Sequence, residues 1–110
     1  MLIDFNSKEE KIIEGMNGGQ GKIAAKMFMN SSGKVIISRL ASGASIGSHV
    51  QTSGNDINFV VSGEGKAFCD GVEEILKPGV CHYCPKNSSH EIINTSEKED
   101  LLLYTVVQEL

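Results

Sequence analysis

The chain has 110 residues, of which 40% are hydrophobic, and it carries a formal net charge of −4. That length accommodates one domain with one core. Acidic and basic side chains are interspersed, which argues against a nucleic-acid surface, and no apolar run approaches the roughly 20 residues needed to cross a bilayer.

The N-terminus and the cysteine content predict a cytoplasmic protein. The first ten residues, MLIDFNSKEE, are polar and acidic, whereas a secretory signal has a basic start followed by an apolar run. The three cysteines, Cys69, Cys81 and Cys84, are an odd number, which argues against a full disulfide framework. A reducing compartment fits this composition.

Residues 1–21 are predicted to form an N-terminal arm or a short helix. Ser7 and Glu10 have the spacing of a capping box and precede two isoleucines, which favours a helix. Glycines at positions 15, 18, 19 and 21 then end any helix quickly. The alternative is an irregular arm that lies across the rest of the domain or reaches a partner.

From Lys22 onward, short apolar runs alternate with turn residues, and Asp70-Gly71 is a strong hairpin signal. Such evenly spaced runs predict an all-β sandwich or barrel in a single domain, residues 1–110, without βαβ units. The eight predicted strands are Lys22–Met29, Val35–Leu40, Ile57–Val61, Lys66–Cys69, Val72–Leu76, Val80–Cys84, Glu91–Ile93 and Leu101–Val107.

Apolar side chains within these runs are expected to fill the core or line a pocket, because packing is the default role of such residues. The expected set is Ile57, Phe59, Val61, Phe68, Ile92, Leu102, Tyr104 and Val106.

Four polar residues are candidates for a shared site. His49 and Gln51 are two apart and share one face if they lie on a strand, while Asp56 and His90 begin later strands. Two imidazoles, a carboxylate and an amide oxygen suit a divalent cation such as iron, manganese, zinc or nickel. The alternative is hydrogen-bonded polar lining, with Asp56 capping a turn.

His82 and its neighbouring cysteines form a second group. On strand Val80–Cys84, His82 shares a face with Cys84, where it can line the pocket, transfer a proton as a catalytic residue, join a metal shell or hydrogen-bond within the barrel. Cys81 and Cys84 have CxxC spacing, but residues three apart on a strand face opposite sides, so a shared metal or disulfide is not expected. Cys84 is expected inside and Cys81 outside.

Two blocks of the chain resemble the paired motifs of the cupin superfamily, with both blocks at the family's spacing. The first block matches at Gly43, His49, Gln51, Asp56 and Gly63. The second block matches at Gly79, Pro85, Asn87, His90 and Asn94. The resemblance covers residues 35–107 and implies a double-stranded β-helix, or jelly-roll, barrel with a ligand site in its mouth. It also implies a metal held by His49, Gln51, Asp56 and His90, and a homodimer.

Three positions depart from the family pattern. Gln51 stands where the family usually has a second histidine, and an amide oxygen is a poorer ligand than imidazole for borderline metals. Asp56 stands where the family has glutamate and is one methylene shorter. Asn87 replaces a glycine, and asparagine tolerates a positive φ better than most residues do.

Three functions stay open at this level. The first is a metal-dependent enzyme, a dioxygenase, an isomerase or a related activity, that uses zinc, iron, manganese or nickel on a small molecule. The second is a non-catalytic binding or sensing protein whose degenerate metal site serves as a polar cradle for a small-molecule ligand. The third is an interaction role in which the barrel face or the arm pairs two chains.

Overall fold

Ten β-strands and two three-residue 3-10 turns make up the protein in a computed structural model that describes all 110 residues. The strands are β1 (Lys11–Glu14), β2 (Lys22–Asn30), β3 (Gly33–Leu40), β4 (Ser45–Val50), β5 (Gly54–Ser62), β6 (Gly65–Cys69), β7 (Val72–Leu76), β8 (Cys81–Cys84), β9 (Ser89–Asn94) and β10 (Leu101–Glu109). The two turns are Phe5–Ser7 and Met16–Gly18. The structure contains no helix with the length and hydrophobicity of a membrane span.

The strands form two sheets in which every pairing is antiparallel. The larger sheet has the order β1-β2-β3-β10-β5-β8, and the smaller has the order β4-β9-β6-β7. The chain passes from one sheet to the other between β3 and β4, between β4 and β5, and again further on. This alternation produces the double-stranded β-helix, so the predicted fold class is confirmed.

All eight predicted strands are present, and β7 has the predicted bounds. The structure adds β1 and β4, which the apolar pattern does not reveal. The β4 segment, Ser45–Val50, contains a glycine and two serines, so its strand conformation depends on pairing with β9 rather than on local preference.

Of the two alternatives predicted for residues 1–21, the structure has the arm and not the helix. Asp4 caps the short turn Phe5–Ser7 through a 3.0 Å hydrogen bond from the backbone N–H of Asn6, and Ser7 does not act as a cap. Residues Lys11–Glu14 extend and pair with β2. A helix this short cannot offset the cost of its own nucleation, whereas the edge of β2 offers backbone partners at once. The arm lies across the larger sheet, where the Phe5 and Tyr104 rings are nearly perpendicular, with 6.4 Å between their centroids.

Inward-facing positions change from apolar to polar along several strands. On β10, Leu101 and Leu103 are buried in the core, while Thr105 and Val107, nearer the other end, line a cavity. On β5, the same change runs from Val60 back to Asp56. The core at the apolar end comprises Ile23, Leu40, Ala44, Val60, Ala67, Leu76, Ile92, Leu101 and Leu103. The opposite end is left open and polar.

The prediction of the core residues was largely wrong. Of the eight expected side chains only Ile92 is among the buried hydrophobic residues, and Phe59, Val61, Tyr104 and Val106 are exposed. Both faces of β5 and β10 carry large apolar residues, so alternation along the chain does not reveal which face points inward. The structure places Asn58 and Thr105 inside instead.

Two turn predictions are confirmed by backbone angles. Asp70 and Gly71 have φ values of 48° and 81° and join β6 to β7 as a hairpin. Asn87 has a φ of 74°, which shows that asparagine adopts the left-handed conformation where the family pattern has glycine.

Candidate metal and ligand site

A cavity of about 240 Å³ opens between the two sheets at the polar end of the barrel. His49, Gln51, Asp56 and His90 all line it, so the structure brings together the four predicted site residues. His82 does not line it. The other polar lining residues are Lys34, Ser38, Ser53, Asn58 and Thr105, and apolar side chains make up half of the 18 lining residues.

The two cavity imidazoles come from neighbouring strands. His49 on β4 and His90 on β9 are paired across the smaller sheet, and their Nε2 atoms are 3.2 Å apart. The Nδ1 of His49 lies 2.8 Å from the carbonyl oxygen of Gly47, which only accepts hydrogen bonds. A neutral His49 therefore carries its proton on Nδ1 and presents the Nε2 lone pair to the cavity.

His82 is buried behind His90, with its ring 5.2 Å from the His90 ring between centroids and 19° from parallel. Its Nε2 is 2.9 Å from His90 Nδ1, and its Nδ1 is 2.6 Å from Glu74 Oε1. His82 thus contacts a cavity residue without lining the cavity itself, and its predicted catalytic role stays a prediction.

Asp56 is held by a separate set of hydrogen bonds. Asn58 Nδ2 donates to Asp56 Oδ1 at 2.9 Å, and the hydroxyl of Thr105 donates to Asn58 Oδ1 at 2.7 Å. These contacts leave Asp56 Oδ2 directed towards His90, 3.5 Å from Nε2. Burial raises the pKa of the Asp56 carboxyl, and the Asn58 hydrogen bond offsets part of that effect.

Burial also dominates the electrostatics of His90. It lowers the pKa of His90 to about 4, and the neighbouring rings of His49 and His82 act in the same direction. His90 is therefore neutral near pH 7, which is the state that a metal-binding imidazole requires.

Gln51 follows the end of β4 and is fixed by the loop that leads into β9. Its backbone N–H donates to the Ser88 carbonyl at 2.8 Å, and its own carbonyl accepts from the Asn87 N–H at 2.7 Å. The buried Gln51 side chain faces the cavity from the same side as His49.

The two cavity imidazole nitrogens have the spacing of two donors to one metal ion. Two nitrogens that each bind one ion at about 2.1 Å, at angles between about 90° and 109°, are about 3.0–3.4 Å apart. The observed separation of 3.2 Å between His49 and His90 falls in this range. No group of three or more His, Cys, Asp or Glu side chains is arranged to hold a metal ion, so the two imidazole nitrogens stand as a pair without a third such group beside them.

The cysteines face the sides expected from strand alternation. Cys84 is buried and Cys81 is exposed, and all three cysteines are free. Burial raises the pKa of the Cys84 thiol to about 12, with the nearby Cys69 thiol adding to the effect, so Cys84 is a protonated packing residue at neutral pH.

Sequence reasoning missed Glu74, which contacts His82 behind the cavity, and five polar residues of the cavity wall: Lys34, Ser38, Ser53, Asn58 and Thr105. Strand spacing could have revealed two of them, Asn58 and Glu74. Asn58 is two residues from Asp56 on the same strand face, and Glu74 is two residues from the buried Leu76. A polar residue at an inward position marks a site more clearly than an apolar one.

Two facing antiparallel sheets with a polar cavity at one end define a double-stranded β-helix barrel. The cupin domain family matches residues 36–107, and the chain belongs to that family. No curated protein matches the sequence significantly.

Several solved structures share this fold. A predicted oxalate decarboxylase from Thermotoga maritima has a TM-score of 0.92 and 23% identity, covering 100% of both chains. KdgF from Halomonas sp. has a TM-score of 0.79 and 17% identity over 96% of this chain and 89% of its own. An RmlC-like cupin from Shewanella frigidimarina has a TM-score of 0.79 and 19% identity over 96% of this chain and 86% of its own. At these identities the likeness supports the fold.

Proposed function

We propose that this cupin is a metal-dependent enzyme that acts on a small carboxylate-bearing molecule in the barrel cavity. The observation that carries the proposal is the pair of Nε2 atoms, on His49 and His90, 3.2 Å apart at the cavity wall. Asp56 is the proposed third ligand, directly or through water, and Gln51 the fourth. The donor set suits iron, manganese, nickel or zinc.

Lys34 supports an anionic ligand. It lines the cavity from β3 close enough to Asp56 to favour the charged form of that carboxyl. A divalent ion beside Lys34 and a single carboxylate would leave the cavity with net positive charge, which favours a small anion. The structural similarity to a predicted oxalate decarboxylase is consistent with this ligand class.

The chain's own groups divide the work between binding and proton transfer. Lys34 binds and orients a substrate carboxylate, and Ser53 and Ser38 offer hydroxyl hydrogen bonds at the cavity wall. If Asp56 meets the ion only through water, its Oδ2 stays free to take and return a proton, and the raised pKa that burial gives this carboxyl suits that role. A bound divalent ion would supply Lewis-acid polarisation of a substrate oxygen.

The metal site is tested by elemental analysis of protein purified without a metal-affinity step, before and after dialysis against manganese, iron, nickel or zinc. We expect near-stoichiometric metal in the wild type and strong loss in His49→Ala and His90→Ala. Val50→Ala, a change at the exposed neighbour of His49, is the control that retains metal. A wild type that takes up none of the four metals contradicts the proposal.

The substrate class is tested by thermal unfolding of the metal-loaded protein in the presence of oxalate and other small carboxylates. Ligands that bind the folded state raise the melting temperature. We expect a rise that is lost in Lys34→Met and kept in Lys66→Met, a matched change of a lysine outside the cavity. Positive shifts with neutral sugars alone would argue against a carboxylate.

A second candidate is a non-catalytic binding protein, favoured by the lack of a closed three-ligand group. It predicts stabilisation by a small molecule with no effect of chelators. A large fall in melting temperature on treatment with a chelator distinguishes the enzyme from this alternative.

We also infer a homodimer that forms through the outer face of the larger sheet, in a reducing, cytoplasmic setting that suits three free thiols. The exposed apolar side chains of this face come from three adjacent strands, with Tyr104 opposite Phe59 across β10 and β5. We call this group the outer apolar patch; it consists of Phe59, Val61, Tyr83, Tyr104 and Val106. Because the patch is uncharged, two copies of a chain with net charge −4 can meet there without like charges opposing one another.

A further inference from the structure

A chain of three side chains runs from the cavity through the barrel wall. His90 contacts His82 at 2.9 Å, and His82 contacts Glu74 at 2.6 Å. Glu74 is on β7 at the edge of the smaller sheet, while His82 is on β8 at the edge of the larger sheet. The Glu74–His82 contact therefore joins two strands that do not pair through their backbones.

The hydrogen bonds determine which ring nitrogens carry protons. An ionised carboxylate only accepts, so the Nδ1 of His82 must donate to Glu74. A neutral His82 then presents the Nε2 lone pair, which accepts from Nδ1–H of His90. The Nε2 of His90 is left unprotonated on the cavity side, facing the Nε2 of His49.

We propose that Glu74 and His82 are positioning residues that hold the His90 ring with its Nε2 lone pair towards the cavity. The inference rests on the proposed function in that this lone pair is the one a metal would use. Partners of this kind orient a metal-binding histidine and fix its tautomer.

The placement of Glu74 favours this role over simple packing. Leu76, two residues on, faces the core, so Glu74 occupies an inward position that would otherwise suit an apolar side chain. Its side chain is 38% exposed, against 0% for His82, so Glu74 reaches the buried ring from the surface. Glu73 faces outward and pairs with Lys66 at 3.7 Å, which makes it a matched control.

The tautomers are read directly by long-range proton–nitrogen NMR on metal-free protein with ¹⁵N-labelled histidine at pH 8, well above the ordinary imidazole pKa of about 6.5. We expect the Nδ1–H form for all three histidines in the wild type. Glu74→Leu and His82→Leu should convert a large share of His90 to the Nε2–H form. Glu73→Gln should change nothing.

Two conservative variants separate positioning from folding. Glu74→Gln keeps an acceptor for His82, and His82→Gln places an amide oxygen near the position of the lost Nε2, so both should retain most of the His90 Nδ1–H form. The wild-type spectrum is decisive even if both leucine variants fail to fold. An Nε2–H form of His90 in the wild type, or an unchanged His90 in folded leucine variants, overturns the proposal.

Metal binding provides the second readout, with Mn²⁺ as the probe followed by electron paramagnetic resonance. We expect Glu74→Leu to weaken Mn²⁺ binding by about 10–100-fold and Glu73→Gln to leave it unchanged. Equal Mn²⁺ affinity in wild type and Glu74→Leu contradicts the positioning role. If the wild type does not bind Mn²⁺ or any other divalent metal while His90 keeps the Nδ1–H form, the proposed metal site fails and the positioning of the ring is still supported.

Discussion

At the scale of single residues, His49 and Asp56 each have one side-chain atom held by a hydrogen bond within the protein, which leaves the other polar atom of the side chain facing the cavity. His49 is restricted by the Gly47 carbonyl, and Asp56 is restricted by Asn58, which is itself held by Thr105. Each group therefore meets the cavity with one defined atom, so little conformational entropy remains to be lost when a ligand binds.

Gln51 is the residue whose replacement should strengthen the proposed metal site. An imidazole at this position would supply a nitrogen donor in place of an amide oxygen, beside His49 and open to the cavity. We expect Gln51→His to raise the affinity for nickel or zinc by about tenfold or more, which is about 1.4 kcal/mol. Isothermal titration with each metal measures the change.

Val50→His is the control for this substitution, because it adds an imidazole at an exposed neighbouring position. An equal gain in both variants would show that the added histidine binds metal at the surface rather than in the cavity.

His90 should make the stability of the metal-free protein depend on pH. Its folded-state pKa is about 4, below the ordinary value of 6.5, so between these values the unfolded chain binds more protons. The free energy of unfolding should therefore fall as the pH drops from about 6.5 to 4, by on the order of 1–3 kcal/mol. The raised pKa of Asp56 has the opposite effect on stability. As the pH falls, the folded protein binds the Asp56 proton at a higher pH than the unfolded chain does, which favours the folded state.

Urea unfolding of metal-free wild type and His90→Gln across this range isolates the contribution of His90. The difference in free energy of unfolding between wild type and His90→Gln should grow smaller as the pH falls, because only the wild type loses stability when His90 becomes protonated on unfolding. A difference that is constant with pH would contradict a lowered pKa for His90.

At the scale of elements, the alternation along β8 separates the two sides of the barrel wall. His82 and Cys84 face inward, and Cys81 and Tyr83 face outward. The sequence CHYC therefore contributes a buried imidazole and a buried thiol to the interior, with no dithiol pair, because residues three apart on a strand diverge.

This arrangement predicts different reactivity for the two cysteines of β8. We expect iodoacetamide at pH 8 to modify Cys81 in the monomeric form of the protein, in which the outer face of the larger sheet is uncovered, and to leave Cys84 unmodified, because Cys84 is buried and its pKa is about 12. Peptide mass mapping after a timed reaction gives the extent at each position. Equal labelling in urea is the control, and rapid native labelling of Cys84 would contradict its burial.

The same alternation explains how one strand can serve both the core and the cavity. The inward row of β10 begins with Leu101 and Leu103 and continues with Thr105, so composition changes along one face of a single strand. Neighbouring β5 changes in the same direction, and the result is a barrel whose packed end stabilises an open polar end.

At the scale of the whole molecule, we expect the outer apolar patch to govern association, since five large apolar side chains on adjacent strands stay exposed in the single chain. We expect a dimer by light scattering and a shift to monomer in Tyr104→Glu, because a buried, unpaired charge opposes the association.

Ile75→Glu is the matched control, since it adds the same charge at an exposed apolar position on the smaller sheet. It should leave the dimer intact. A wild type that is monomeric at tens of micromolar would exclude the larger sheet as the interface. Dissociation of the dimer to the same extent in Tyr104→Glu and Ile75→Glu would exclude it as well.

The sequence by itself determined the fold class, the positions of eight of the nine strands from Lys22 onward and the grouping of His49, Gln51, Asp56 and His90. These follow from turn chemistry, strand periodicity and the resemblance of two spaced blocks, all of which are local or depend on order along the chain. The cavity is lined by the four residues that the sequence singled out.

Only the tertiary structure decided which face of β5 and β10 points inward, that β1 and β4 are strands, and that Glu74 meets His82. The inward face is decided by which sheet packs against which, and strands with apolar residues on both sides carry no local sign of it. Glu74 and His82 come from the edges of different sheets, so their contact exists only once the barrel has closed.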